Sequence, residues 1–332
     1  MGAALGAYGG AQGLASIAGP LLGGLLVTAD VFGLGWRAIF WVNVPVGLFA
    51  LLIGAKVLPE SRETRQSKLD LPGMALLAGC LLAVLLPVVQ GPSWGWPVWG
   101  LVLMVAGALG LAGFVAFERR VAARGSQPIV DTNLLRNRAF VGGLAAAFAF
   151  FGGIAAYFLL LSIYLQAGTG RDALATGLIT LPYAIGSIIT SGAGVKLAVR
   201  HGRRLLIIGS LVIAGSHAAM YAVVTGIAEP SWWQLGVPLL IGGLGLGLAA
   251  PPLVNVILAA VPAREAGSAG GVLSTVCQIG GSAGVAAFGT VFFSQVPGAQ
   301  AFAATLPWQV GLYLVAAGLM TLLPAPARHT VS

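Results

Sequence analysis

Apolar residues run along this chain in long blocks, without the period-two alternation of a half-buried strand, and short polar turns separate the blocks. A helix that crosses a bilayer needs about 20 mostly apolar residues. Ten blocks reach that length, near Ala3–Val27, Ile39–Leu58, Leu71–Val89, Val98–Phe117, Phe140–Ile163, Ala173–Ala198, Leu205–Ile227, Trp233–Ala259, Gly267–Phe293 and Trp308–Pro324. Strands of a membrane barrel would be shorter and alternating. The pattern therefore predicts an all-α polytopic membrane protein with about ten transmembrane helices.

The polar turns give the orientation. One set of alternate loops carries Lys56, Arg62, Arg65 and Lys68, then Arg119, Arg120, Arg124, Arg136 and Arg138, then Lys196, Arg200, Arg203 and Arg204, then Arg264 and Arg328. The other set carries Arg37 and Arg171, so fifteen of the 17 basic residues fall on one side. The positive-inside rule makes that side cytoplasmic and places both termini there. Six tryptophans in the opposite loops, Trp36, Trp41, Trp94, Trp96, Trp232 and Trp233, suit the aromatic belt of an interface.

Composition agrees with the pattern. Of 332 residues, 58% are hydrophobic and 8% charged, where soluble domains carry roughly 25% charged residues. The net charge of +8 would suggest nucleic acid in a soluble protein; here topology accounts for it and no nucleic-acid partner is expected. Cys80 and Cys277 lie within apolar blocks and read as small buried hydrophobes. The three histidines, His201, His217 and His329, are scattered. No metal, cofactor or catalytic constellation is expected. Gly242–Gly247 has the glycine density of a phosphate-binding loop, but it sits inside an apolar block and not between a strand and a helix.

The first block carries Gly6, Ala15, Gly19-Pro20 and Gly23-Gly24. Glycines on one face strip a helix of bulk, and Pro20 deletes a backbone hydrogen bond and bends it. The result is a pliable, closely packed helix that can seal a cavity at one end. This spacing resembles the antiporter motif in the fifth helix of the major facilitator superfamily, with Ala15 where that motif has glycine. Trp36-Arg37-Ala38-Ile39-Phe40 with Asn43 and Pro45 resembles the loop and helix start that follow the motif in the fourteen-helix drug:proton antiporter branch. In that setting Arg37 would tie the outer loop to neighbouring helix ends and Asn43 would satisfy backbone groups near Pro45. Alternatively, Trp36 and Trp41 are belt residues and Arg37 is solvated.

The turn holding Lys196, Arg200, His201, Gly202, Arg203 and Arg204 resembles the superfamily's basic loop motif in its second-bundle copy. Val199 stands where the pattern usually has an acidic residue. Gly202 allows a tight turn, and the arginines can cap helix C-termini or meet lipid phosphates; alternatively their charge only sets topology. Leu69–Gly73, Asn133–Phe140 and Gln278–Gly281 with Gly284 fit the same branch.

Polar groups inside membrane helices are default functional candidates. No clear Asp, Glu, Lys or Arg stands in a helix interior. His217 is the one ionisable group well inside a block; it reads more readily as the source of one interhelical hydrogen bond than as a carrier of protons. Gln166, Asn255 and Gln278, with Tyr157 from an aromatic helix that also holds Phe148, Phe150, Phe151, Phe158 and Tyr164, are candidates for a cavity wall. Those aromatics would suit amphipathic cations, or they face lipid and neighbouring helices.

The resemblance implies a major-facilitator-like transporter in a bacterial-type plasma membrane. Its partners would be the lipid bilayer, a small amphipathic substrate and protons. The ten blocks would match the fifth to fourteenth helices of the branch. The division expected is a first-bundle remnant at 1–58, two extra helices at 59–117, a cytoplasmic linker at 118–138, a six-helix bundle at 139–325 and a tail at 326–332. A chain without the first four helices is not expected to transport by itself. A complete ten-helix drug/metabolite-type exporter would show two similar five-helix halves, whereas the linker divides four helices from six. A non-transporting accessory subunit is a further alternative. A membrane enzyme would need acidic or histidine clusters at a membrane face, which the sequence lacks.

Overall fold

A computed structural model describes residues 19, 22–57, 70–123, 134–262, 265–296 and 298–323. Among them nine helices are long and apolar enough to cross a membrane, and no strand occurs. In chain order they are α1 (Asn43–Val57, the end of a span that begins at Gly35), α2 (Leu71–Trp94), α3 (Val98–Ala123), α4 (Arg138–Ile163), α5 (Ala173–His201), α6 (Arg203–Gly226), α7 (Trp232–Ala259), α8 (Ala266–Phe293) and α9 (Ala299–Met320). Short helical turns at Gly35–Arg37 and Ala38–Trp41 lead into α1. Most of the expected first span lies outside the described residues; its end, 22–28, is helical.

Local chemistry sets the helix ends. Asp70 caps α2 by accepting from the Gly73 amide at 2.9 Å, with Pro72 in the first turn. Asn137 caps α4 by accepting from the amides of Ala139 and Phe140 at 3.0 and 3.3 Å. Its own amide donates to Ala260 O at 2.9 Å, at the end of α7. At the opposite end of α4 the chain widens into a π-helical turn over Tyr164–Gly168.

Two expected boundaries move. Helix α3 continues past Phe117 to Ala123, and Glu118, placed by the sequence at the start of the linker, is fully buried. Charge ends an apolar block but does not end a helix, and Glu, Arg and Ala are good helix formers. Helix α9 begins at Ala299, nine residues before the expected start at Trp308. Pro307 is accommodated inside it, as proline is in membrane helices whose neighbours support the freed backbone group.

Helices α4–α9 form one bundle. α5 packs on α7, α7 on α6, α6 on α9, α9 on α4 and α4 on α8, with α4 also touching α7. Lipid tails are as apolar as leucine, so close packing holds such helices together, and small residues permit it. The glycine run in α7 serves two neighbours at once. A Cβ on Gly243 would strike the Tyr183 carbonyl of α5, and one on Gly247 the Ser187 carbonyl, whereas one on Gly245 would come within 2.7 Å of Gly209 O in α6. Thr190 Oγ1 donates to Leu244 O at 2.8 Å across the α5–α7 seam. On α8, Gly280 and Gly284 lie against the backbone of Phe148 and Gly152 in α4.

The bundle core has two apolar halves. One holds Phe140, Phe150, Leu206, Ile257 and Met320; the other holds Leu160, Leu165, Met220, Leu235 and Leu306. Helices α2 and α3 pack on each other, and α2 runs along α8.

Candidate functional site

The antiporter-like segment meets the second bundle through backbone. Gly6, Ala15 and Pro20 lie outside the described residues. Gly24, on the 22–28 helical segment, faces the first turn of α5: a Cβ there would come within 2.7 Å of Ala173 O and 3.0 Å of Leu174 Cα. Only glycine allows this approach. Gly23 lies near Ile39 Cδ1, 3.9 Å from where its Cβ would be, and Gly19 has nothing within 4 Å. The α5 start follows the loop of Arg171, the side opposite the basic loops. There Arg171 Nη2 donates to Pro230 O at 2.9 Å, joining the chain ahead of α5 to the chain ahead of α7.

The loop after the motif is tightly turned. Asp30 Oδ1 accepts from the Gly35 amide at 2.8 Å, and Asp30, Phe32, Gly33 and Gly35 all have positive φ. Arg37 lies over the Trp36 ring at 4.7 Å, and Trp36 meets Phe40 edge-on at 5.9 Å. This keeps the guanidinium within its own loop in a cation–π contact. Asn43 Nδ2 donates to Ile39 O at 3.3 Å, one turn before the Pro45 position. Trp36, Phe40 and Trp41 are exposed on the protein surface.

The basic segment is more helical than a turn. Helix α5 continues through Arg200 to His201, and Gly202 alone links it to α6, with φ 48° and ψ −128°. That conformation is open to glycine and strained for other residues. Arg203 Nη1 donates to Thr321 O at 2.9 Å and Leu323 O at 3.2 Å, at the C-terminal end of α9. A cation beside terminal carbonyls is favourable there. Arg204 is exposed.

The five cavity candidates separate into two groups. Gln166, Asn255 and Gln278 are exposed on the surface of the bundle. Gln166 donates to Ser162 Oγ at 2.8 Å on its own helix, while Asn255 and Gln278 make none of the side-chain hydrogen bonds found among the described residues. Tyr157 and His217 are each 1% exposed. They sit inside the bundle with ring centroids 4.1 Å apart and not on an open wall. His217 Nδ1 bonds Ile213 O at 2.8 Å within α6, and the Gln309 side chain of α9 faces the ring from the neighbouring helix. Of the aromatic helix, Phe150 and Tyr164 are buried with Tyr157, and Phe148 is exposed.

Residues that the sequence reading passed over share this interior. Gln309 and Tyr313 of α9 are fully buried, and Tyr313 lies 5.2 Å from the His217 ring. Thr305, Gln309 and Tyr313 recur at four-residue intervals, a polar stripe on one helical face. Starting the last helix at Trp308 concealed Thr305 and with it the stripe.

The comparisons with known proteins agree with this architecture. The family model of the Major Facilitator Superfamily matches residues 1–285. A probable actinorhodin transporter of Streptomyces coelicolor is 39% identical over 306 residues, which is 91% of this chain and 52% of that protein. A puromycin resistance protein of Streptomyces alboniger is 36% identical over 299 residues, 87% of this chain and 56% of the relative. A tetracenomycin C resistance and export protein of Streptomyces glaucescens is 32% identical over 305 residues, 88% and 53% respectively. The chain spans about half the length of these curated relatives. With residues 1–285 matched by the family model, this chain belongs to the Major Facilitator Superfamily.

Proposed function

We propose that this chain forms the larger part of a proton-coupled exporter of small amphipathic compounds in a bacterial-type plasma membrane, with the basic loops and both termini in the cytoplasm. Relatives named for transport of, or resistance to, actinorhodin, tetracenomycin C and puromycin support that class of substrate. Within the fourteen-helix branch, residues 1–58 would end the first bundle, 59–117 would supply the two extra helices, 118–138 the linker, 139–325 the second bundle and 326–332 the tail. The first four helices of such a unit would complete the cavity and carry the stronger basic loop.

The observation that carries the reading is Gly24 against the backbone of Ala173 and Leu174. In a rocking transporter the two bundles must close against each other at one membrane face. A glycine-to-backbone contact on the outer side is a dry, reversible seal. Gln166, Asn255 and Gln278 remain the candidates for polar contacts to substrate, whereas Tyr157 and His217 belong to the bundle interior.

The test uses proteoliposomes with an imposed proton gradient and a fluorescent amphipathic dye. The 332-residue chain is compared with a chimera in which the first four helices of the S. coelicolor relative precede it. Dye export by the chimera and none by the shorter chain is expected. Export by the shorter chain would refute the division above, and export by neither would refute the efflux reading.

A further inference from the structure

Four buried polar side chains lie where the two apolar halves of the α4–α9 bundle join. They carry Tyr157 Oη on α4, His217 Nε2 on α6, and Gln309 Oε1 and Tyr313 Oη on α9, and none of these atoms has a hydrogen-bond partner. The side chains are 0–1% exposed. The His217 ring lies 4.1 Å from that of Tyr157 and 5.2 Å from that of Tyr313, and the Gln309 side chain faces it. On each helix these residues separate members of the two apolar clusters: Phe150 from Leu160, Ile213 from Met220, and Leu306 from Met320. The polar group is therefore midway along the bundle, far from either end.

Leaving such groups unpaired in an apolar interior costs about 1–3 kcal/mol each by mutational measures. Four together would be a severe burden on a fold whose whole stability is of order 5–15 kcal/mol. The hydrogen-bond roles identify what is missing. His217 Nδ1 faces the Ile213 carbonyl, so it carries the proton, and the neutral ring presents Nε2 as an acceptor. Gln309 Nε2 donates to Thr305 Oγ1 at 3.3 Å, which turns its Oε1 inward as a second acceptor. Thr305 Oγ1 has already given its own proton to Phe302 O at 2.7 Å. The two phenols supply donors. Two acceptors and two donors on neighbouring side chains complement a water molecule, which donates twice and accepts twice.

Gly153 of α4 lies beside the Tyr313 phenol, where a Cβ would approach within 2.8 Å of the hydroxyl. Glycine there lets the phenol lie directly against the backbone of α4.

We propose that Tyr157, His217, Gln309 and Tyr313 form a buried water site at the centre of the second bundle, with neutral His217 accepting a hydrogen bond from the bound water. The site does not depend on the efflux reading and is separate from the exposed candidates Gln166, Asn255 and Gln278. It holds small neutral hydrogen-bonding molecules and excludes ions, because none of the buried side chains around it is charged.

Solid-state NMR on the full chain in lipid bilayers tests this. The protein is 15N-labelled at histidine and glutamine, and His201→Asn with His329→Asn leaves one imidazole. The expected spectrum has a protonated Nδ1, an unprotonated hydrogen-bonded Nε2, and magnetisation reaching the ring from water protons. Gln309→Leu removes one of the water's partners and should slow that transfer roughly twofold or more, as should Tyr157→Phe. The measurement on the protein with its core intact stands even where a variant fails to fold. A ring that receives nothing from water overturns the proposal. So does a direct coupling between Gln309 Nε2 and His217 Nε2, which would mean that the amide is turned to bond the ring with no water between them.

Discussion

Helix α1, with the turns that lead into it, and α7 are both apolar enough to span a bilayer, yet they are used differently. α7 runs between α5 and α6, with glycines directed at both neighbours. α1 has no buried residue among its fifteen, and Val44, Val46, Phe49 and Leu51 point away from the protein. Hydropathy places a helix in the membrane; the spacing of small residues decides whether it has protein or lipid beside it. The second bundle is a close-packed body built on backbone contact, and α1 is a helix whose flanks are open to lipid or to further helices.

Four substitutions sharpen that contrast. Gly243→Ala should have the largest effect, because its Cβ collides with the Tyr183 carbonyl of a rigid helix. A loss of about 2–3 kcal/mol is expected, read as a fall in thermal unfolding temperature in detergent. Gly47→Ala in α1 is the matched control: nothing lies within 4 Å, and relief from glycine's helix penalty should leave stability unchanged or raise it by up to about 1 kcal/mol. Equal losses at both positions would remove the distinction between the two regions. Next comes Gly202→Ala, where a φ of 48° costs an L-residue about 1–2 kcal/mol. The change should lower the unfolding temperature and leave the membrane topology, read by cysteine accessibility, unaltered. The smallest loss is expected from Asn137→Ala, which removes the α4 cap and the bond to Ala260 O. A cost of about 1 kcal/mol should appear as faster amide exchange at the first turn of α4, with the opposite end of that helix unaffected.

Much of the fold could be read from the sequence because membrane spans are long and charge alternates between the loops. The misplaced ends share one cause. Block counting stops α3 at Glu118 and delays α9 beyond Pro307, although neither residue breaks a helix that has neighbours. The Gly242–Gly247 run was recognisable as intramembrane, but its division between two partners needs the helix positions. The site was less legible. Exposure separates Gln166, Asn255 and Gln278 from Tyr157 and His217, and no local pattern encodes which polar face of a membrane helix turns inward. The stripe of Thr305, Gln309 and Tyr313 was the available signal, and only a helix begun at Ala299 displays it.

Gly202 and Arg203 together have a mechanical consequence. A single residue joins the end of α5 to the start of α6, and the next side chain grips the last carbonyls of α9. Three helix ends therefore share one joint at the basic face of the membrane. A tilt of α5, the helix whose other end touches Gly24, cannot be absorbed by slack in a loop; it is passed as a torque to α6 and α9. Opening the contact at Gly24 would swing these helices about a pivot on the side of the basic loops, so the bundle would act as a lever with its fulcrum at Gly202.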